Sequence, residues 1–314
     1  MAGNFSSLID RPGAQATMPE EVSLALLKEV KNISAAFGVF EEIKMMRAQD
    51  RTPILAALPG AEWVEGDTGL IETTAVKWTN RYVNAEEMAV IVPIPQNVLD
   101  DSEFDVWGTI QPLLAQAIAR RFDQTLFMGV RAPTSFPECI QLAAKKVGNE
   151  FQRGTAEPAH GGLASDVSEL LAKMEPQGFE PDYVIAHTTY KGLLRNARNS
   201  FGDRFPEIGP EEVYGADVVY PMRGLWPTGK KEAEMFAMEV EQFIVGLRED
   251  ISLKLLDQAV IQGEGGSITF NLAQQNMVAL RVIFRGGWQV SNQINWDQEN
   301  EAERYPAAVM ISPN

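Results

Sequence analysis

The sequence predicts a mixed α+β fold, and three features carry that prediction. Residues 93–129 read as an extended, proline-bounded entry followed by a long amphipathic helix that stops at a glycine. Residues 57–92 read as a long two-stranded hairpin, with Trp, Val, Thr and Tyr set among Gly, Asp and Asn. Residues 165–272 alternate strand and helix signals over short connections, the pattern of a compact layered module. None of the three carries a metal, phosphate or nucleophile motif. The strongest patterning therefore points to scaffolding and assembly.

Composition narrows the classes further. A chain of 314 residues holds one large domain or two ordinary ones. With 45% apolar and 22% charged residues it can bury a full core, which excludes disorder for most of its length. The net charge of −16 opposes recognition of a phosphate backbone, which needs clustered Lys and Arg. The same charge keeps a concentrated protein soluble through mutual repulsion. Cys139 is the single cysteine, so no internal disulfide forms and a reducing compartment suits the chain. The first residues lack a basic start and an apolar run, and no segment approaches the roughly 20 apolar residues of a membrane span. The expectation is a soluble protein made inside the cell.

In order along the chain, residues 1–16 are polar and contain Gly and Pro, which suits an irregular arm. A helix follows Thr17, which has capping-box spacing with Glu20. Val22, Leu26, Leu27, Val30 and Ile33 fall at helical spacing, and apolar positions continue to Met46, with Gly38 marking a break or bend. Pro59-Gly60 then opens a turn. Trp63, Val64, Thr73, Val76, Trp78, Tyr82 and Val83 form the arms of the hairpin, whose tip lies around Glu65-Gly66-Asp67. An isolated hairpin is marginal in water, so this one needs a surface to lie against. Residues 88–95, MAVIVPIP, are β-rich, and Pro93 and Pro95 confine them to a sheet edge or a strand end.

The long helix is expected from about Phe104 to Phe127. Val106, Ile110, Leu113, Leu114, Ala117, Ile118, Phe122 and Leu126 make its apolar stripe. Asp101 or Ser102 suits the N-cap and Gly129 the C′ position. Pro112 removes one backbone donor, so it kinks the helix or marks its first turn. About 23 residues give a rod of about 35 Å.

Beyond it, Asp166 and Glu169 open a short helix, DYVIAH is a buried strand, and Thr188 caps a helix through Leu193 and Leu194. A Gly/Pro-rich loop over 199–211 leads to the strand GADVVYP, then to β-rich FIVGLR and ISLKLL. Val278, Leu280, Val282 and Phe284 alternate with Ala279, Arg281, Ile283 and Arg285, which predicts a strand ending at Gly286-Gly287. The stretch from Asn292 to Arg304 is polar and acidic.

A search for chemistry finds none. His160 and His187 have no Cys or carboxylate at ligand spacing and read as loop and strand-end residues. Gly263-Glu264-Gly265-Gly266 lacks the Lys and Ser/Thr of a phosphate loop and precedes a strand, so it reads as a turn. No Gly-x-Ser-x-Gly elbow exists. Cys139 has no basic neighbour and reads as structural. The acidic pairs Glu20-Glu21, Glu41-Glu42, Asp100-Asp101 and Glu211-Glu212 read as solvated faces. Arg281 and Arg285 share one strand face, either as exposed polar positions or as an ion-pair set between subunits. Lys77, beside Trp78, reads as an exposed lysine on the hairpin flank. No catalytic residue, cofactor or metal is expected.

The order of these elements resembles that of tailed-phage major capsid proteins with the Hong Kong 97-type shell fold, over nearly the whole length. Trp63-Val64-Glu65-Gly66 leading to Trp78 and then MAVIVPIP resembles the family's extended loop and return strand. Pro95 to Gly129, with Leu99-Asp100-Asp101-Ser102, resembles the approach to the spine helix and that helix itself. PDYVIAHTTYKGLLRNARNSFGDRF followed by VYGADVVYP resembles the axial domain. FNLAQQNMVALRVIFRGGWQVSN resembles the closing strand of the peripheral domain, with Arg281 and Arg285 at matching positions. The sequence departs from the family where Val240-Glu241, not the frequent Gly-Asp, precedes FIVGLR.

The resemblance implies an N-terminal arm and helix over 1–56, an extended hairpin loop over 57–92 and a peripheral domain with spine helix over 93–164. It places an axial domain over 165–272 and a return to the peripheral domain over 273–314. It implies hexamers and pentamers tiling an icosahedral shell around phage DNA, held non-specifically. Scaffolding, portal and decoration proteins are the implied partners, with no membrane. Assembly in the host cytoplasm and residence in the virion follow. Trp63, Glu65, Val76, Lys77, Trp78, Arg281 and Arg285 are the implied contacts between subunits. Two other readings stay open at this point: an encapsulin-type nanocompartment shell, and a soluble α/β enzyme with its site in the 199–232 loops.

Overall fold

The computed structural model describes residues 20–61, 63, 73–101, 106–155, 162–198, 201–221, 233–262 and 268–313. The chain divides into two compact units. One comprises Met1–Glu29, Glu87–Ala115 and Asp250–Phe284, the other Val30–Glu86, Gln116–Glu249 and Arg285–Asn314. Thr17, Glu65-Gly66-Asp67, His160 and the glycine run 263–266 lie outside the described residues.

Helix α1 (Glu20–Ile33) buries Leu26, Leu27 and Val30. The apolar run to Met46 does not extend it. Ser34 takes an extended backbone, and its Oγ accepts from Phe37 N at 3.3 Å, capping the short helix α2 (Ala35–Val39). Strand β1 (Glu41–Lys44) follows, and then β2 (Gln49–Ala57). β2 pairs antiparallel with β3 (Lys77–Asn84), from Gln49–Asn84 to Ala57–Lys77. The hairpin therefore begins eight residues before its expected start at residue 57. Residues 73–76, expected as strand, are not paired. Strand β4 (Glu86–Pro95) is an edge strand of a four-stranded sheet, as its two prolines require.

A short helix α3 (Gln96–Asp101), unforeseen in the sequence, stands between the proline-bounded entry and the long helix. Helix α4 (Val106–Met128) is the long helix, with Pro112 inside it. Leu114, Ala115, Ile118, Ala119, Phe122, Leu126 and Phe127 are buried, whereas Leu113 is 57% exposed and Ala117 lies outside the buried face. The buried stripe is thus turned away from those two positions of the expected one. Gly129 ends the helix at φ 71°, its N–H bonded to Thr125 O at 3.0 Å, as a C′ glycine should be.

Asp123 joins α4 to α2. It is fully buried, and its carboxylate accepts from Ser34 Oγ at 2.5 Å, Ala35 N at 2.9 Å and Ala36 N at 3.3 Å. Phe37 stacks on Phe122 beside it, ring centroids 4.8 Å apart. Loss of hydration pushes the Asp123 carboxyl up to about 6, and the three hydrogen bonds only partly offset that.

A six-stranded mixed sheet forms the second module. Its strands are β5 (Glu150–Gln152), β6 (Tyr183–Ala186), β7 (Glu212–Val213), β8 (Ala216–Val219), β9 (Ala233–Met238) and, from the end of the chain, Ala307–Ile311. The last of these pairs antiparallel with β9 and parallel with β5. Its residues were assigned above to a segment separate from this module. The run AAVMI, fully buried, gives the reason: a short, continuously apolar strand fits a sheet covered on both faces. Helices α5 (Ile140–Val147), α6 (Leu163–Leu171) and α7 (Tyr190–Arg195) accompany the sheet. Val167, Leu170, Met174, Val184, Tyr190, Met235 and Met310 belong to its core. Both edges, β5 and β7, are only two or three residues long, which blunts them against stray pairing.

Strand β10 (Phe243–Leu256) leaves this sheet and pairs parallel with β1. A ribbon of β11 (Val260–Gln262) and β12 (Ile268–Asn271) follows, then α8 (Leu272–Gln275) and β13 (Met277–Val290), and Ala307–Ile311 is β14. The four-stranded sheet has the order β1-β10-β13-β4. Along β13, Leu280, Val282 and Phe284 are buried while Arg281, Ile283 and Arg285 are half-buried, the predicted period of two, but Ala279 is buried along with Val278, so the alternation begins only at Leu280. The strand does not stop at Gly286-Gly287 but continues to Val290. Among the described residues no helix is long and apolar enough to cross a membrane.

Candidate inter-subunit surface

The β2–β3 hairpin is held at its root by close backbone packing. Val83 is buried with Met45 and Ile244, and Ile43 and Ala85 pack against them. Gly246 leaves room for this group: a Cβ there would meet Met45 Sδ and stand 2.8 Å from Val83 Cγ1. Gly287 does the same for the main chain. A Cβ at that position would overlap the Asn84 carbonyl oxygen and lie 2.8 Å from its carbon. Glycine in β13 therefore marks a close backbone approach and not a strand end.

Polar ties brace the same root. Ala85 N donates to Ala48 O at 2.8 Å, Gln289 Nε2 to Tyr82 O at 3.0 Å, and Asn84 Nδ2 to Ser135 O at 2.8 Å. Ser135 Oγ donates to Glu86 Oε1 at 2.5 Å, and Arg81 is ion-paired with Glu301. None of Arg81, Gln289, Glu301, Gly246 or Gly287 is a site that periodicity singles out. The glycine inside an apolar strand was the one readable signal.

Beyond the root the hairpin loses cover. Trp63 is 100% exposed, Trp78 64%, and Val76 and Tyr82 nearly half. Lys77 is also exposed, at the last rung of the ladder. The eight steps from Gln49 to Ala57 carry the ribbon about 27 Å at about 3.4 Å per residue. Of the seven residues expected at subunit contacts, the structure thus collects Trp63, Val76, Lys77 and Trp78 on the far part of one hairpin. Glu65 lies outside the described residues. Arg281 and Arg285 sit elsewhere, on the half-buried face of β13, and Arg281 Nε is buried without a hydrogen-bond partner. Two aromatics that the sequence reading passed over, Phe201 and Trp296, are also largely exposed, each in a loop.

The residues weighed for chemistry take ordinary places. Cys139 is buried just ahead of α5, and burial pushes its thiol up, away from the reactive thiolate. His187 follows β6, with Nδ1 at 2.9 Å from Thr189 Oγ1. A shallow cavity of about 420 Å³ is lined by Pro206, Glu207, Gly209, Pro210, Glu211 and Glu212, which leaves a carboxylate-rich wall and no nucleophile.

Residues 14–293 match the model of the family described as "Phage capsid family". The "Major capsid protein" of Staphylococcus phage 80alpha is 24% identical over 270 residues, covering 84% of this chain and 79% of that protein. A solved chain of Microbacterium phage Oxtober96 superposes with a TM-score of 0.76 and 33% identity, covering 89% of this chain and 91% of its own. A chain of Mycobacterium phage Adephagia gives 0.75 and 27%, covering 89% and 90%.

Proposed function

The chain belongs to the phage capsid family and is a major capsid protein of the tailed-phage, Hong Kong 97-like type; from that premise we propose that it assembles as hexamers and pentamers into an icosahedral shell enclosing a DNA genome. The observation that carries the geometry of this assembly is the hairpin. It is packed and braced at its root, yet presents Trp63, Val76 and Trp78 to solvent along its far part. A two-stranded ribbon is marginal by itself, so a neighbouring subunit is its natural support. Each hairpin crossing to the next subunit makes a heterologous contact, the kind that closes rings.

In this reading the long helix and the four-stranded sheet form the peripheral domain. The six-stranded sheet forms the axial domain, converging on the capsomer axis. Arg281 and Arg285 supply charge at further subunit contacts, and the role is structural, without catalysis. Packaged DNA meets the shell non-specifically, because the net charge of −16 favours no tight grip on phosphate. Scaffolding, portal and decoration proteins complete the particle, which is built in the host cytoplasm.

The test replaces residues 58–76 by Asn-Gly, the two-residue turn that closes a hairpin with least strain. The subunit should fold, its Tm within a few degrees of the parent, and electron microscopy should show no closed shells. Shells of normal size and yield from this variant would contradict the assignment of the hairpin.

A further inference from the structure

We propose that Glu301 and Arg81 form an electrostatic bracket that sets the course of the hairpin, so that shell assembly is tuned by ionic strength through this pair. The proposal rests on the reading of the hairpin as the element that crosses to the neighbouring subunit, and it adds the residues that aim it.

The bracket stands on a stiff platform. Arg304, buried at the far end of the 291–304 loop, donates to three main-chain carbonyls: Gln298 O at 3.1 Å, Glu299 O at 2.6 Å and Asn292 O at 3.1 Å. Asn292 returns a bond from Nδ2 to Arg304 O at 3.1 Å. Asn295 Nδ2 fastens the loop to Gln177 O at 2.7 Å, and Asn300 Oδ1 caps the turn at Glu301–Glu303 by accepting from Ala302 N at 3.1 Å. Glu301 is therefore presented from a fixed backbone and not from a loose loop.

Arg81 is presented as firmly. Its side chain is about one-third exposed, its Nε is buried without a hydrogen-bond partner, and its outer nitrogen pairs with Glu301. Among the ties at the root, it lies furthest along β3 towards the exposed part, beyond Asn84 and Tyr82. Glu301 also offsets the charge of Arg304, whose guanidinium is pushed down chiefly by burial, with Arg81 adding to that and Glu301 opposing it. One carboxylate thus serves two arginines. Removing it takes away the ion-pair partner of Arg81 and the charge that opposes the burial of Arg304. The other root ties named above are packing and hydrogen bonds; one of them, Ser135 Oγ to Glu86 Oε1, ends on a carboxylate, but none is an ion pair, so salt screens them less. The ion pair is partly solvated, so it is the tie that ionic strength reaches.

The experiment compares the full chain with E301Q, R81Q and R81K. The carboxylate meets a single guanidinium nitrogen, so lysine keeps the attraction although it lacks the planar fork. Hairpin freedom is read as the rate of cleavage by a glutamate-specific protease, since Glu62, Glu65 and Glu72 lie in the connection. At low salt, E301Q and R81Q should each be cut about threefold faster than the parent, the size expected of a partly exposed pair. R81K should match the parent, and 1 M NaCl should raise the parent to the rate of the two Gln variants. Yields of closed shells should fall about threefold in E301Q and R81Q and be restored in R81K. Parental cleavage and shell yield in both Gln variants, or an R81K that behaves like R81Q, overturns the proposal. Failure of the hairpin assignment is seen separately: shells from the 58–76 replacement refute that assignment, whereas cleavage rates report on the bracket alone.

Discussion

Asp123 should make the stability of the subunit fall as pH rises from about 4 to about 6. Its carboxyl is fully buried between α2 and α4, and among the described residues no lysine or arginine is hydrogen-bonded to it. Burial lifts it from 3.8 to about 6, against the pull of three donated hydrogen bonds. The native state thus binds this proton more tightly than the unfolded chain. Stability contributed by the protonated form is fully present below about pH 4, is lost progressively up to about pH 6, and changes little above that. A rise of this size corresponds to about 3 kcal/mol at 1.36 kcal/mol per unit. Other carboxylates titrate in the same range, so the measurement is a difference. Urea unfolding of unassembled subunits, parent against Asp123→Asn, should be followed from pH 4 to pH 8. Asparagine keeps one acceptor for the α2 amides but cannot ionise. The parent's stability relative to the variant should drop by about 2.4 kcal/mol between pH 4 and pH 7, most of the full span, since the unfolded carboxyl is already partly ionised at pH 4. A difference that is constant across that range would refute the account of Asp123 as a carboxyl held against desolvation.

Two further substitutions probe the framework that carries the assembly surface. Gly287→Ala should cost about 3 kcal/mol in thermal unfolding, because the new Cβ overlaps the main chain at Asn84, where only a backbone shift gives relief. Gly246→Ala should cost less, since the flexible Met45 thioether can yield. Asn149→Ala should cost about 2–4 kcal/mol by urea titration. Asn149 Nδ2 donates to Tyr305 O at 3.2 Å and Ala307 O at 3.0 Å, and Oδ1 accepts from Gln177 Nε2 at 2.6 Å, so its loss leaves buried groups unpaired where β14 enters the sheet.

Period and punctuation made the elements readable where one physical cause dominated. Gly129 ended α4 as predicted because only glycine accepts that backbone without strain. Pro93 and Pro95 placed β4 at an edge because they lack the donor an inner strand needs. Reading failed where tertiary packing overrode local pattern. The apolar positions beyond Ile33 suit a helix by spacing. Ser34 and the distant Asp123 together redirect the chain there, and nothing within a few residues of Ser34 announces a partner 89 positions away. Gly286-Gly287 looked like punctuation because the carbonyl it admits comes from Asn84, in another strand. The exposed aromatics of the hairpin were legible as a group, since Trp and Val beside turn residues are costly to leave in water. The charge pair that aims them was not, because Arg81 and Glu301 are ordinary surface residue types 220 positions apart.

This division has an energetic logic for a shell. Full burial of a large apolar side chain contributes on the order of 2 kcal/mol, so in the proposed assembly Val76 and Trp78 together would make only a modest bond to one neighbour. Such a bond can break while a misplaced subunit is still correctable, and many of them around a closed lattice add up to a stable particle. Weak bonds of this kind function only if they do not also have to pay for ordering the hairpin. The glycine-admitted packing at Asn84 and Val83, with the hydrogen bonds of Gln289 and Ser135, meets that requirement within the subunit. In the proposed assembly, a hairpin rooted in this way would reach its neighbour already aimed, with its exposed part left free for contact. Loosening the root should therefore weaken assembly more than removing any one exposed side chain, even though the root residues touch no partner.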